Sequence, residues 1–277
     1  MIEELENTVP IKEAREIVSV DEFVSQCLNW HQQFNRDVWG ERESYHDEVH
    51  IRATLLAGEK LIKAALKGND PLNILKDLEK WNQDHPGLEI KEEEFMDVFK
   101  LAFAGHDLGN VAQGVSEKNG NLKLDFLAHY TAEKAEDRSQ KIVKRILNAS
   151  GIDQNKKERF LPLVLHLINE TKYNFDGQDL FAVFSRVVDQ MGSTLFSVRG
   201  IKSDVVGLAQ EMIVENPLVK ITPNFSLNFF ELRFKQLVKD EKTRESIKEI
   251  WGGKPPDKFE ANKSLVKAAD WLRENGT

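Results

Sequence analysis

The chain of 277 residues contains one cysteine, Cys27, so no intramolecular disulfide can form and nothing points to an oxidising compartment. Cys27 falls in a helical apolar pattern and is expected to be a buried helix residue. Long apolar runs are also missing, since no stretch approaches the roughly 18 residues that a membrane span needs. The opening segment, Met1-Ile-Glu-Glu-Leu-Glu-Asn7, is acidic and lacks an apolar core of the signal-peptide kind. A soluble, cytoplasmic protein that binds no membrane is the expectation. Positive charge is not in excess either: 38 basic residues face 46 acidic ones, giving a net charge of -8 spread along the chain. That balance argues against a nucleic-acid binder and favours a small-molecule or protein partner. Repeats, low-complexity tracts and long flexible linkers are absent, and a chain of this length can bury a substantial core.

What the chain does have is apolar residues at three- and four-residue spacing almost throughout, with little strict alternation, which predicts a mainly helical protein. Ser19-Val20-Asp21 reads as an N-cap opening a helix through Phe23, Cys27, Trp30 and Phe34. A second helix is expected to carry His46 and His50 into Leu55, Leu56 and Ile62, a third to run through Ile74 and Leu78, and a fourth to span Glu92 to Asp107. A polar loop is expected from Gly109 to about Lys123, then helices over about 125–148, 156–172, 179–191, 204–214, 227–238, 243–251 and 259–275. Phe225, Phe229, Phe230 and Phe234 recur at helical spacing and mark a core stripe or an oligomer interface. The simplest organisation is one all-α domain over 1–277, with a core at about 40–195 and a C-terminal helical extension at about 200–277.

His106-Asp107 closes the otherwise apolar stretch from Val98 to Gly105. Two adjacent metal-binding side chains there suggest a metal site; the alternative is an imidazole meeting the carbonyl end of a helix dipole. Asp107 fits that alternative badly, because its charge is repelled at a helix C-terminus unless a cation compensates. His46 and His50, four apart, would share one helix face, either converging on a single site or forming a partly exposed pair. Asp189 ends the apolar run from Phe181 to Val188, where an unpaired carboxylate is costly to bury. Its partner is either Arg186, three residues earlier, or a metal shared with His106 and Asp107. Two imidazoles and two carboxylates suit a borderline or hard divalent ion such as Mg, Mn, Zn, Fe, Co or Ni, and the set lacks the thiolates of a closed structural zinc site.

In order and helical context, Tyr45-His46-x3-His50, His106-Asp107 and Asp189 resemble the signature of the HD-domain superfamily of metal-dependent phosphohydrolases, over about residues 40–195. The resemblance implies an HD-domain-like helical bundle with additional C-terminal helices. It also implies that His50, His106, Asp107 and Asp189 ligate one or two divalent metal ions, with Asp107 as a bridge. The Tyr-His-x3-His form is similar to cyclic-nucleotide phosphodiesterases within the superfamily, and by that likeness His46 is a general acid. With His46 and Asp107 catalytic, the implied reaction is cleavage of a phosphomonoester or phosphodiester of a nucleotide-like small molecule by metal-activated hydroxide.

Asn110, His129, Glu136 and Thr171 fall where members of the family place groups near the substrate or a second metal. A solvated helix face is the alternative for Glu136, and a satisfied core histidine is the favoured reading of His166. Asn110 stands where a histidine often follows the His-Asp pair, Asp47 where an asparagine is usual, and Arg138-Ser139 where two histidines occur. No purine-selecting residue follows Asp189, so the carry-over stops at the metal site and hydrolysis. Lys60, Arg52 and Lys172 are cations with no assigned role. Two rival readings stand beside the first: a catalytically silent HD-like module that binds a metal or nucleotide to regulate a partner, and a di-iron HD-type oxygenase requiring His129 or His166 as a further ligand. The oligomeric state is open, a homo-oligomer included.

Overall fold

Ser19 opens the first helix: its hydroxyl accepts the Glu22 backbone N–H, and Phe23, Cys27, Trp30 and Phe34 all turn inward from α1 (Val20–Phe34). The computed structural model describes residues 16–39, 46–118, 121–127, 135–172, 179–196 and 232–252. A π-helical turn (Asn35–Trp39) ends α1. There follow α2 (Glu48–Ala65), α3 (Ile74–Asp84), α4 (Glu92–Gly105), α5 (Leu108–Val111), β1 (Ala112–Lys118), β2 (Asn121–Phe126), α6 (Ala135–Ala149), α7 (Gln154–Asn169), α8 (Ala182–Phe196), a helical segment at 232–237, and α9 (Glu241–Trp251). Among the described residues the regular elements are thus helices, with one two-stranded sheet.

Two expectations are overturned here. The stretch from Gly109 to Lys123 is not a polar loop: it holds α5 and most of an antiparallel hairpin, in which Val115 lies opposite Leu124 and the register shifts between Ala112 and Gly114. The cause is the alternation Leu122, Leu124, whose side chains turn into the core while Lys123 faces water. Asp125 and Phe126 belong to β2, so the helix expected from about Asp125 does not begin there; among the described residues it covers Ala135–Ala149. The second correction concerns His46. Asp47 accepts the His50 backbone N–H at 2.8 Å and caps α2, so the helix begins at Glu48 and His46 precedes it in a turn.

The core is built round α4, which buries Phe95, Val98, Phe99, Leu101, Ala102, Phe103 and Ala104 because α1, α2 and α7 all pack against it. Helices α2 and α4 approach closely at Gly58, where a Cβ would run into the Phe99 ring. On its other side α2 packs against α8. Cys27 is a buried free thiol, and burial pushes its pKa well above the usual range. Phe225, Phe229, Phe230, Tyr45 and the expected helices at 204–214 and 259–275 lie outside the described residues. Among those described, no helix is long and apolar enough to cross a membrane.

Candidate metal centre

Three pieces of backbone carry the candidate ligands to one place. His106 and Asp107 form the joint between α4 and α5: His106 is still helical, and Asp107 (φ -99°, ψ 3°) turns the chain into the next short helix. His50 sits in the first turn of α2, fully buried. Asp189 lies midway along α8, which begins after Phe181, a residue with φ of 62° whose N–H donates to Asp77 Oδ2 at 2.7 Å. Burial of the Asp77 carboxyl raises its pKa.

One ligand atom from each of His50, His106, Asp107 and Asp189 lies within 4.8 Å of every other. His50 Nε2 and His106 Nε2 are 3.1 Å and 3.0 Å from Asp189 Oδ1, and 3.6 Å and 3.1 Å from Asp107 Oδ2. Ligand bonds of about 2.0–2.2 Å put neighbouring donor atoms about 3 Å apart round one ion, so the separations suit a divalent cation. The tautomer suits it too. His106 Nδ1 lies 2.8 Å from the Phe103 carbonyl, which can only accept, so Nδ1 carries a proton and Nε2 is the nitrogen turned to the group, free to ligate once its own proton is displaced. Asp107 Oδ2 is buried with no hydrogen bond of good geometry despite the imidazoles round it, whereas Oδ1 accepts from Asn110 Nδ2 at 2.8 Å. This buried group could hold a metal ion.

The electrostatics couple the same groups to one another. Burial works against a charge on His106, but Asp107 and Asp189 overcome it and push its pKa up to about 10. Burial likewise opposes charge on the two carboxyls, and the facing His106 nonetheless holds Asp107 well below and Asp189 below the usual carboxylate range, with His46 adding to the effect on Asp107. A proton on His106 occupies the place that a divalent ion would take. No family model, curated protein or solved structure matches this chain.

The remaining candidates divide between the site and its surroundings. His46 Nδ1 lies 3.1 Å from Asp107 Oδ2 and 3.2 Å from Asn110 Nδ2, so His46 and Asn110 both lie against the Asp107 carboxylate. Glu136, at the start of α6, is within electrostatic range: burial raises its pKa and the charges of Asp107 and Asp189 raise it further. Gly109 permits this approach, because a Cβ there would strike the Ala135 carbonyl, and the N–H of Gly109 donates to Ser139 Oγ at 2.8 Å.

Thr171 stays outside the group, buried, with its hydroxyl donating to the Ile168 carbonyl at 2.8 Å. His129 lies outside the described residues. Arg186, the ordinary partner considered for Asp189, reaches Glu170 instead: its Nε donates to the Glu170 carbonyl at 3.2 Å and Nη2 lies 3.5 Å from Oε2. His166 Nε2 donates to the Leu180 carbonyl at 2.9 Å beside the rings of Trp81 and Phe181, away from the four ligands. Lys60 donates to the Trp251 carbonyl at 3.1 Å, Arg52 lies 3.8 Å from Glu48, and Lys172 bonds Asp137 at 2.9 Å and Asn169 at 2.8 Å. The residue that the sequence did not single out is His31, whose Nδ1 is 2.9 Å from the main-chain oxygen of His46. Its position in Trp30-His31-Gln-Gln-Phe34 resembles any polar place on an amphipathic helix, so no local signal marks it.

Proposed function

We propose that this chain is a divalent-metal-dependent phosphohydrolase of the HD-domain kind, cleaving a phosphomonoester or phosphodiester of a nucleotide-like small molecule. The observation that carries the proposal is the buried His50, His106, Asp107, Asp189 group with His46 against its Asp107, two imidazole and two carboxylate donors beside a histidine outside the ligand set. A divalent ion held there supplies Lewis-acid chemistry, activating water and offsetting the negative charge that grows on the phosphoryl oxygens.

The chain's own residues do the rest. Phe103, through its carbonyl, keeps His106 in the tautomer whose Nε2 can ligate. Asn110 donates to Asp107 Oδ1 and leaves Oδ2 turned to the imidazoles. His46, with its Nδ1 against Asp107, is the general acid that protonates the departing oxygen. The side chains of Asp189 and His46 are 13% and 14% exposed while His50 is sealed, so substrate approaches along the Asp189–His46 side. The oxidative reading is weaker, because His166 is bonded elsewhere.

The test is an activity screen of the purified protein with Mg, Mn, Co, Zn or Fe. Nucleoside monophosphates, cyclic mononucleotides, deoxynucleoside triphosphates and a chromogenic phosphodiester serve as substrates. The expected result is metal-dependent turnover that His46→Ala lowers by about 10²- to 10⁴-fold without loss of metal. Phosphate compounds that raise the melting temperature and are never hydrolysed would favour the regulatory module instead.

A further inference from the structure

His31 is fully enclosed in the last turn of α1, and neither the ligand group nor the chemistry above uses it. The His46 carbonyl can only accept, so His31 Nδ1 carries the proton of their 2.9 Å hydrogen bond and Nε2 bears the lone pair. That Nε2 is buried without a hydrogen-bond partner among the described residues. Burial lowers the pKa of the ring to about 4, so it is a neutral donor at ordinary pH. A leucine would fill similar space without stranding a polar nitrogen. The histidine's disadvantage as a core residue is therefore offset by what its other nitrogen holds.

What it holds has no helix to fix it. His46 precedes Asp47, the cap of α2, and so lies outside the hydrogen-bond ladder that orders His50. Its ring must nonetheless stay 3.1 Å from Asp107 Oδ2. Helix α1 contacts α2, α4 and α5, the elements that carry His50, His106 and Asp107 or flank them, so a bond from α1 ties residue 46 to the same frame as the ligands. We propose that His31 is a positioning residue: its Nδ1–H holds the peptide of His46 so that the His46 ring faces Asp107. The role rests on the phosphohydrolase reading, in which His46 protonates the leaving oxygen.

Leaving-group dependence separates this role from a merely structural one, because a general acid matters for a poor alkoxide leaving group and little for an activated nitrophenolate. His31→Leu and His31→Asn are compared with the wild type on an alkyl phosphate ester and on its nitrophenyl counterpart, with metal content and KM measured alongside. In His31→Leu, kcat is expected to fall about 10- to 100-fold on the alkyl ester and by less than about threefold on the nitrophenyl ester, with metal and KM unchanged. His31→Asn, whose amide N–H can reach the same carbonyl, should return to within about threefold of the wild type on both. Equal losses on the two esters, loss of metal, or no loss at all in His31→Leu overturns the positioning role while wild-type turnover leaves the phosphohydrolase reading standing. A wild type that hydrolyses neither ester with any metal removes that reading, and the role of His31 with it.

Discussion

Gly109 lets the start of α6 lie directly against the turn that carries Asp107, and the whole contact depends on one missing Cβ. With alanine there, the Ala135 carbonyl must move, and with it Ser139 and Glu136. Gly109→Ala is expected to lower stability by about 1–3 kcal/mol, the usual cost of overpacking, read as a shift in urea midpoint. An unchanged midpoint would show that α6 does not press on residue 109. At this scale much of the site was legible. Asp107 and Asp189 stand out in the sequence because a helix C-terminus and an apolar run make an unpaired carboxylate costly there, and His106 and His50 stand out as ligand types beside Asp107 and at i, i+4 spacing from His46. His31 was not legible, because its contact to His46 spans 15 residues of sequence and leaves no spacing to detect. The i, i+4 spacing of His46 and His50 predicts a shared helix face, but Asp47 caps the helix, which begins at Glu48, two residues after His46.

Among the elements, α4 is tied to α7 by a salt bridge placed at the helix start. Glu94 accepts from Arg159 Nη1 at 2.9 Å and Nη2 at 2.6 Å, and also from the Lys91 N–H at 3.1 Å. The hydrogen-bonded guanidinium of Arg159 holds the Glu94 carboxyl down at about 2, against an ordinary 4.5. A carboxyl whose pKa is lowered on folding stabilises the fold above its unfolded pKa, and that contribution disappears as pH falls from about 4.5 towards about 2. Arg159→Ala is therefore expected to cost about 1 kcal/mol near pH 7, in the upper range for a partly exposed pair, and progressively less below pH 4.5. Denaturant unfolding of both proteins across that range checks it, and a difference independent of pH would contradict it. Helices were the easier elements to read, since α1, α4 and α7 follow a 3.6-residue apolar period over three or more turns. The hairpin escaped because its inward alternation is only Leu122 and Leu124, flanked by Asn121, Lys123 and Asp125. The Asn119-Gly120 pair between the strands is the sequence signal that could have revealed it.

For the molecule as a whole, a helical class follows from periodicity alone, but the meeting of α2, the α4–α5 joint and α8 does not, because it joins residues up to 139 positions apart. What brings the four together is chemistry: two buried carboxylates and two buried imidazoles offset one another's desolvation, and a group of this kind could hold a metal ion. The central claim is that this group binds a divalent metal through Asp107. Elemental analysis of the purified protein beside Asp107→Asn, which keeps the side-chain shape, and Asp107→Ala tests it most directly. About one to two divalent ions per wild-type chain are expected, with most of that metal lost from both folded variants. Variants that fold and keep the wild-type metal content would contradict it.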